Sequence, residues 1–424
     1  MCTFASNTYF MKMHLVTKNF VHSLYGFFFF ELISIFSFLS AQIPENVYKS
    51  DYHISPESVG QLFVSIDNLN FFKDNEFSGS YMKGYTLPGF WFQGKAVYYP
   101  LKNLKFEAGV HLLRYWGANK YPNMAYQDIA TWQGAQTEKG FHILPVLRAQ
   151  VALSEHVNII LGTLYGAANH NLIEPLYFPE LNLTADPEMG FQLLYASHYV
   201  DLDSWVNWQS FMFKDDTHKE AFTVGLSSRL KFNDPKSLFH FYIPIQGLTQ
   251  HRGGEFDQNY SVETLMNGSF GIGTLWNINH RALKNINLEA DMTGYYQQSG
   301  ELWPFNKGYG LYLRASADIS SFRIKTSYWK CHDFISLYGI PYFGAISTKI
   351  KDATIEDPSN VYFGFEYSYP LAKGYALGID MDIYQQFRST FHEKDDASLS
   401  VGSHTSFSAG IYLRINPSFL IKKF

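Results

Sequence analysis

The sequence predicts an all-β chain that crosses a membrane as an antiparallel up-and-down β-barrel of about sixteen strands. The first observation is the segment 308–330. Tyr309, Leu311, Leu313, Ala315, Ala317 and Ile319 alternate there with Gly310, Tyr312, Arg314, Ser316 and Asp318. Ser320 and Ser321 make a turn, and Phe322, Ile324, Thr326 and Tyr328 then alternate with Arg323, Lys325, Ser327 and Trp329. Period-two alternation on both sides of a tight turn is a β-hairpin. Each arm is about as long as a tilted strand needs to span a bilayer core. The register predicts Asp318 opposite Arg323. The second observation is that the pattern recurs along the chain, with connections that alternate short and long. The third is composition: aromatic residues are 18% and charged residues only 17%. That balance suits an apolar outer band with aromatic girdles.

Residues 1–41 read as a secretory leader. Lys12 and Lys18 precede a mostly apolar run at 24–39, which Glu31 interrupts, and Leu39-Ser40-Ala41 offers a small-residue cleavage site. Residues 42–62 form a polar periplasmic lead-in, and 63–424 the barrel.

The first strand, near 63–72, has broken alternation. Clearer strands follow near 87–99, 104–116, 141–153 and 157–166, then 189–199 and 205–213 around an Asp-rich turn. Further strands are expected near 222–232, 238–249, 266–278 and 286–296. The hairpin just described follows, then 361–369, 375–387 and 407–415. Long loops are expected at 117–139, 167–187 and 334–360. An even number of strands puts both ends of the barrel on one side of the membrane. No strand is followed by a helix-period segment, so no βαβ unit arises.

A formal net charge of −5 argues against nucleic acid as a partner. Cys2 falls in the leader, so Cys331 stands alone; no intramolecular disulfide or cysteine-pair zinc site is expected. No metal or cofactor is predicted. The run 268–273 mimics a nucleotide loop but sits inside a strand with no helix after it.

With the leader, the strands, the short and long connections and the terminal Phe424 in view, the chain resembles the outer-membrane β-barrel proteins of Gram-negative bacteria, a porin-like class. The resemblance covers everything after the leader and implies residence in the outer membrane. Its partners would be outer-membrane lipid and lipopolysaccharide, and the barrel-assembly machinery during biogenesis; small polar solutes are possible ligands. It leaves the subfamily and the oligomeric state open. Pro417, Lys422 and Lys423 interrupt the final stretch, so the place of Phe424 relative to the last strand is open as well.

If the apolar faces meet lipid, the polar faces line the lumen. That set is Lys105, Glu107, His111, Arg148, Arg229, Lys231, Glu289, Asp291, Arg314, Asp318, Arg323, Lys325, Glu366, Asp380, Asp382 and Arg414. So many charges need water or a well-paired network. Glu174 and Glu180, in the loop 167–187, would narrow the pore if that loop folds inward. The carboxylate pairs Glu289/Asp291 and Asp380/Asp382 share a face but have no histidine nearby in sequence, and no nucleophile elbow occurs. The expectation is a diffusion channel with weak cation preference, since rings of carboxylates favour cations. A barrel subunit of an envelope assembly or secretion machine is the alternative, and an outer-membrane enzyme the lesser one. The chain is expected not to be an enzyme.

Overall fold

The structure, a computed structural model, describes residues 52–116, 141–211, 219–254, 262–350, 352–393 and 398–424. The expected leader, most of the lead-in and the loop 117–139 lie outside the described residues. The strands in chain order are β1 (Gln61–Glu76), β2 (Tyr85–Leu101), β3 (Leu104–Tyr115), β4 (His142–Ala152), β5 (Val157–Thr163), β6 (Met189–Ala196), β7 (Val200–Ser210), β8 (Ala221–Lys231), β9 (Phe239–Arg252) and β10 (Glu263–Asn277). After them come β11 (Leu283–Ser299), β12 (Lys307–Ile319), β13 (Phe322–His332), β14 (Thr354–Glu356), β15 (Ser359–Ala372), β16 (Tyr375–Gln386), β17 (Ser389–His392), β18 (Ser398–Val401), β19 (His404–Ile415) and β20 (Ser418–Lys423).

Seventeen of these form one sheet, which closes where β1 pairs with both β2 and β19. β20 also pairs with β1 and continues the line of β19, so the barrel has sixteen positions. Pro417, which has no N–H to give, marks the bend between them, and its carbonyl still accepts from Ile66 N at 3.0 Å. Phe424 closes the last strand: its N–H donates to Gly60 O at 2.7 Å and its ring packs 5.7 Å from Tyr98. Closure pairs the backbone groups of the wall from strand to strand, which a lipid environment demands. β14, β17 and β18 make a separate small sheet within the segments expected to be plain loops.

Alternation sorts the side chains as predicted. Phe270 and Ile272 are 55% and 64% exposed, whereas Tyr312 and Trp329 are fully buried in the lumen. Asp318 stands opposite Arg323, as the hairpin register requires. Two regions depart from the expectation. In β1 the polarity inverts: Leu69 and Phe71 face inward and are buried, while Asn68 and Asn70 face outward. Asn70 Nδ2 donates to Asn68 Oδ1 at 2.6 Å, and Asn68 Nδ2 donates to Trp91 O at 2.7 Å. That inversion breaks the alternation, and the strand runs beyond both of its expected ends. The expected Asp-rich turn is the start of β7. The turn is at 197–199, and Asp201 and Asp203 are inward strand positions, where Asp203 meets His170 and the half-exposed Asp201 meets Lys231.

Among the described residues, the long connections lie at one end of the barrel. Two of them, 164–188 and 333–358, turn back into the loop-side half of the lumen. Phe334, Ile335, Tyr342 and Phe343 are fully buried against the inward rings of Tyr312 and Trp329, with Trp329–Phe334 at 5.3 Å and Tyr312–Phe343 at 5.5 Å. Inward amides of the wall complete the backbone of these segments. Asn267 donates to Ile335 O at 2.8 Å and accepts from Leu337 N at 2.9 Å. Gln246 does the same for Asn171 O and Ile173 N, both at 2.9 Å. A buried backbone without ladder partners must find such substitutes.

Candidate functional site

The lumen charges named from the sequence fall into matched groups. Glu107 is surrounded by Lys95 (2.7 Å), Arg148 (2.9 Å) and Lys105 (3.2 Å). Arg314 holds Glu289 at 2.5 Å and reaches Glu174 of the inserted segment at 3.6 Å; Tyr312 and Tyr242 donate to the two carboxylates. Asp291 is buried beside Ser269. Lys73 lies between Asp380 (3.4 Å) and Asp382 (3.6 Å). Asp318 pairs with Arg323 at 2.8 Å, and Glu366 with Lys325. Separately, Arg414 forks onto Asp67, Lys231 meets Asp201 and Arg229 stacks over Tyr242. Glu180 accepts from Asn75 and Tyr85. Lys73 lies one residue past the expected end of its strand and so falls outside the predicted lumen set.

Two cavities remain. One, about 530 Å³, lies on the short-turn side and is lined by Tyr52, Arg229, Arg314, Asp318 and Arg323 among others. The other, about 270 Å³, lies against β2 to β7. Asn169, Leu172, Tyr177 and Asn182 of the inserted segment belong to the walls of both.

The smaller cavity holds the chemistry. His170 sits at the end of a single 3-10 turn, Ala167–His170. Its Nδ1 meets Asp203 at 2.7 Å, its Nε2 meets Glu188 at 3.1 Å, and its ring stacks on Trp205 at 3.5 Å. Burial works against its charge, but Glu188 and Asp203 together outweigh that and push the imidazole up to about 10. Burial likewise opposes ionisation of Glu188, and the His170 charge with the Ala167 N–H holds it below its usual range. With both nitrogens committed, His170 is a fixed cation with no lone pair for a reacting proton.

His111 differs. It is buried on β3 and lines the cavity, and the Gln93 amide N–H faces its Nδ1 at 3.2 Å. That leaves the ring proton on Nε2, which has no hydrogen-bond partner among the described residues. His111, Lys95 and Arg148 line the cavity together with Asp67, Asp186 and Glu188, while the unpaired Nε2 itself is shielded from solvent. Among the described residues its lining contains no serine or cysteine, and Thr163 Oγ1 accepts from Leu147 N at 3.1 Å. His170, Glu188 and Asp203 are far apart in sequence, and no spacing signal connects them. Among the described residues no group of three or more histidine, cysteine, aspartate or glutamate side chains is arranged to hold a metal ion.

Comparison with known proteins adds two findings. A family model described as lipid A 3′-O-deacylase-type matches residues 54–424. Among solved structures, similar barrels include OccAB3 of Acinetobacter baumannii, at 12% identity over 84% of this chain and 99% of that one, with a TM-score of 0.44. OpdK of Pseudomonas aeruginosa, solved with vanillate, is 10% identical over 85% and 100%, at 0.45. OprD of the same organism is 10% identical over 86% and 96%, at 0.40. No curated protein sequence matches. The chain is an antiparallel β-barrel of sixteen positions, as the sequence predicts. The expectation that it is not an enzyme is overturned: the matching family is named for an enzymatic activity, and the match spans the entire barrel. A linear nucleophile motif is the wrong signal for this chain, because the side chains of the cavity come from several separate strands and a loop.

Proposed function

The chain belongs to the lipid A 3′-O-deacylase-type family, and from that premise we propose that it is an outer-membrane hydrolase cleaving an acyl ester of a lipid A-type glycolipid. The match over 54–424 carries this reading; the smaller cavity supplies chemistry compatible with it. A rotation of the His111 ring would bring its unpaired N–H to the ester carbonyl oxygen, where it would stabilise the oxyanion that develops. With no serine or cysteine in the lining, the attacking group would be water. Its proton would pass to a carboxylate of the cavity wall and from there to the departing sugar oxygen. The acyl chain would leave as a free acid and the sugar hydroxyl would be restored.

The test is direct. Folded protein incubated with lipopolysaccharide in vesicles should shift the lipid A mass by one ester-linked acyl chain. His111→Ala should cut the rate by roughly 10²-fold, the cost of losing one oxyanion donor. A lipid A profile unchanged by the folded wild-type barrel overturns the reading.

A second reading, a channel with weak cation preference, has one supporting observation. The two cavities share the wall 169–182, so displacement of that segment would join them. Asp380 and Asp382 would then be the carboxylates to test, by reversal potential in a planar bilayer with both changed to Asn. An anion preference in the unaltered protein sinks it.

A further inference from the structure

The wall of the barrel is incomplete in one place. β5 pairs with β4 only from Arg148↔Gly162 to Ala152↔Asn158, so residues 142–147 of β4 have a neighbour on the β3 side alone. β6 pairs with β7 only as far as Gly190↔Asn207, so 208–210 of β7 have a neighbour on the β8 side alone. Between these two edges, among the described residues, no strand fills the loop-side half of the wall. The sequence suits this local ending. Pro145, which cannot donate, occupies the free edge of β4. Gly162 and Gly190 end the short strands with φ of +89° and +150°, and a Cβ on either would collide with a backbone oxygen of the neighbouring strand. Side chains replace the missing ladder: Arg148 donates to Thr163 O at 2.6 Å and Leu164 O at 2.8 Å, and Asn207 Oδ1 accepts from Met189 N at 3.0 Å.

The cavity that contains His111 reaches this gap. Leu144, from one edge, and Trp208, from the other, both line it. By alternation Trp205 faces inward, onto His170, and Trp208 faces outward, where its ring stacks on Phe222 at 5.0 Å. The cavity thus borders residues of both edges, one of them Trp208, whose ring lies on the outer face. Its apolar lining includes Leu144, Leu164, Leu172, Leu181, Met189 and Trp208. Outside the gap the surface is apolar: Ile143 and Leu147 are 64% and 55% exposed. Among the described residues the connection 185–188 reaches the β4 edge, where His142 holds it through Asp186 at 2.8 Å.

We propose that this gap is a lateral doorway through which an acyl chain of a lipid in the loop-side leaflet enters the barrel wall beside His111, with the His142–Asp186 pair as its latch. The doorway rests on the hydrolase reading and deepens it, by giving a membrane-held chain a path that avoids water. It is tested without requiring turnover. A photo-crosslinking benzoylphenylalanine replaces Leu144 in the full chain, reconstituted in vesicles containing lipopolysaccharide, with folding checked by heat-modifiable migration on gels. The same residue at Ile272 reports bulk lipid, and at Phe343 reports the dry interior. Labelling of lipid from position 144 should stand several-fold above that from position 343, and Asp186→Asn should raise it further. If the Leu144 variant does not fold, position 189 takes its place. Labelling from the gap no higher than from position 343, with and without Asp186→Asn, overturns the doorway. Lipid A masses from the same vesicles separate the two claims. Labelling without deacylation removes the hydrolase reading and leaves the doorway; deacylation without labelling does the reverse.

Discussion

The wall from β9 to β13 and the wall from β4 to β7 are built from the same alternation of apolar and polar residues, yet they use their inward charges differently. In the first, the strands are long and the ladder is nearly continuous. Charges there pair from strand to strand, as Arg314 does with Glu289 and Asp318 with Arg323. In the second, β5 and β6 stop early, and inward groups reach for a loop instead. Arg148 binds the carbonyls that follow β5, and Asp203 binds His170 of the inserted segment. The first arrangement fixes a wall. The second suspends a loop from charges buried on rigid strands, and leaves His111 with an N–H unspent. Precise chemistry on loops depends on such rigid supports.

The largest test of the contrast falls on the long-strand wall. Arg314→Leu removes the only cation within ion-pair distance of Glu289 among the described residues and also releases Glu174 of the inserted segment. Breaking a buried pair and leaving its partner charged costs about 3–5 kcal/mol. Thermal unfolding in detergent micelles should fall accordingly. A melting temperature within error of wild type would show that water solvates this pair and that the wall does not depend on it.

The next test falls on the suspended loop. The folded pKa of His170 lies above its ordinary value of 6.5, at about 10. Its contribution to stability is therefore fully present below 6.5 and is lost as pH rises through about 10. The loss should amount to a few kcal/mol, because each tenfold change in proton affinity is worth about 1.4 kcal/mol. Tryptophan emission, sensitive to the ring of Trp205 beneath the imidazole, should report loosening over that alkaline range. In His170→Gln the alkaline step should vanish. The same step persisting in the variant would assign it to another group.

How much of this is legible in the sequence follows from the same contrast. The sixteen positions are readable, because alternation is a local property and lipid enforces it on each strand separately. Where a strand obeys another constraint, the reading fails. Asn68 and Asn70 point at lipid and satisfy each other, so β1 looks shorter than it is. Asp201 and Asp203 look like turn residues because nothing local reveals that a histidine thirty-three positions earlier in the chain will meet Asp203. Glu174 and Glu180 stand out in their loop, but their partners Tyr312, Arg314, Asn75 and Tyr85 are fixed only by closure of the barrel. The cavity around His111 is invisible for the same reason. It needs β2, β3, β4, β5 and β7 brought together, and its doorway exists only because two of the strands are short.

The smallest expected effect belongs to the gap itself and is read against its opposite number on the long wall. Leu313 lies at the middle of β12, faces outward and is 40% exposed. Arginine there must be held near the bilayer midplane, at about 2–4 kcal/mol. Ile143 also faces outward and is more exposed still, at 64%, but it is the second residue of β4, at the loop end and on a free edge. Near the membrane interface an arginine costs only about 0–1 kcal/mol. The guanidinium also has somewhere to go, since the loop-side rim is one residue away and no strand hems it in on the β5 side. Unfolding in lipid bilayers by denaturant should therefore separate Leu313→Arg from Ile143→Arg clearly, with the second close to wild type. Equal losses would mean that the apolar band covers the gap fully and that the free edge of β4 is sealed from water.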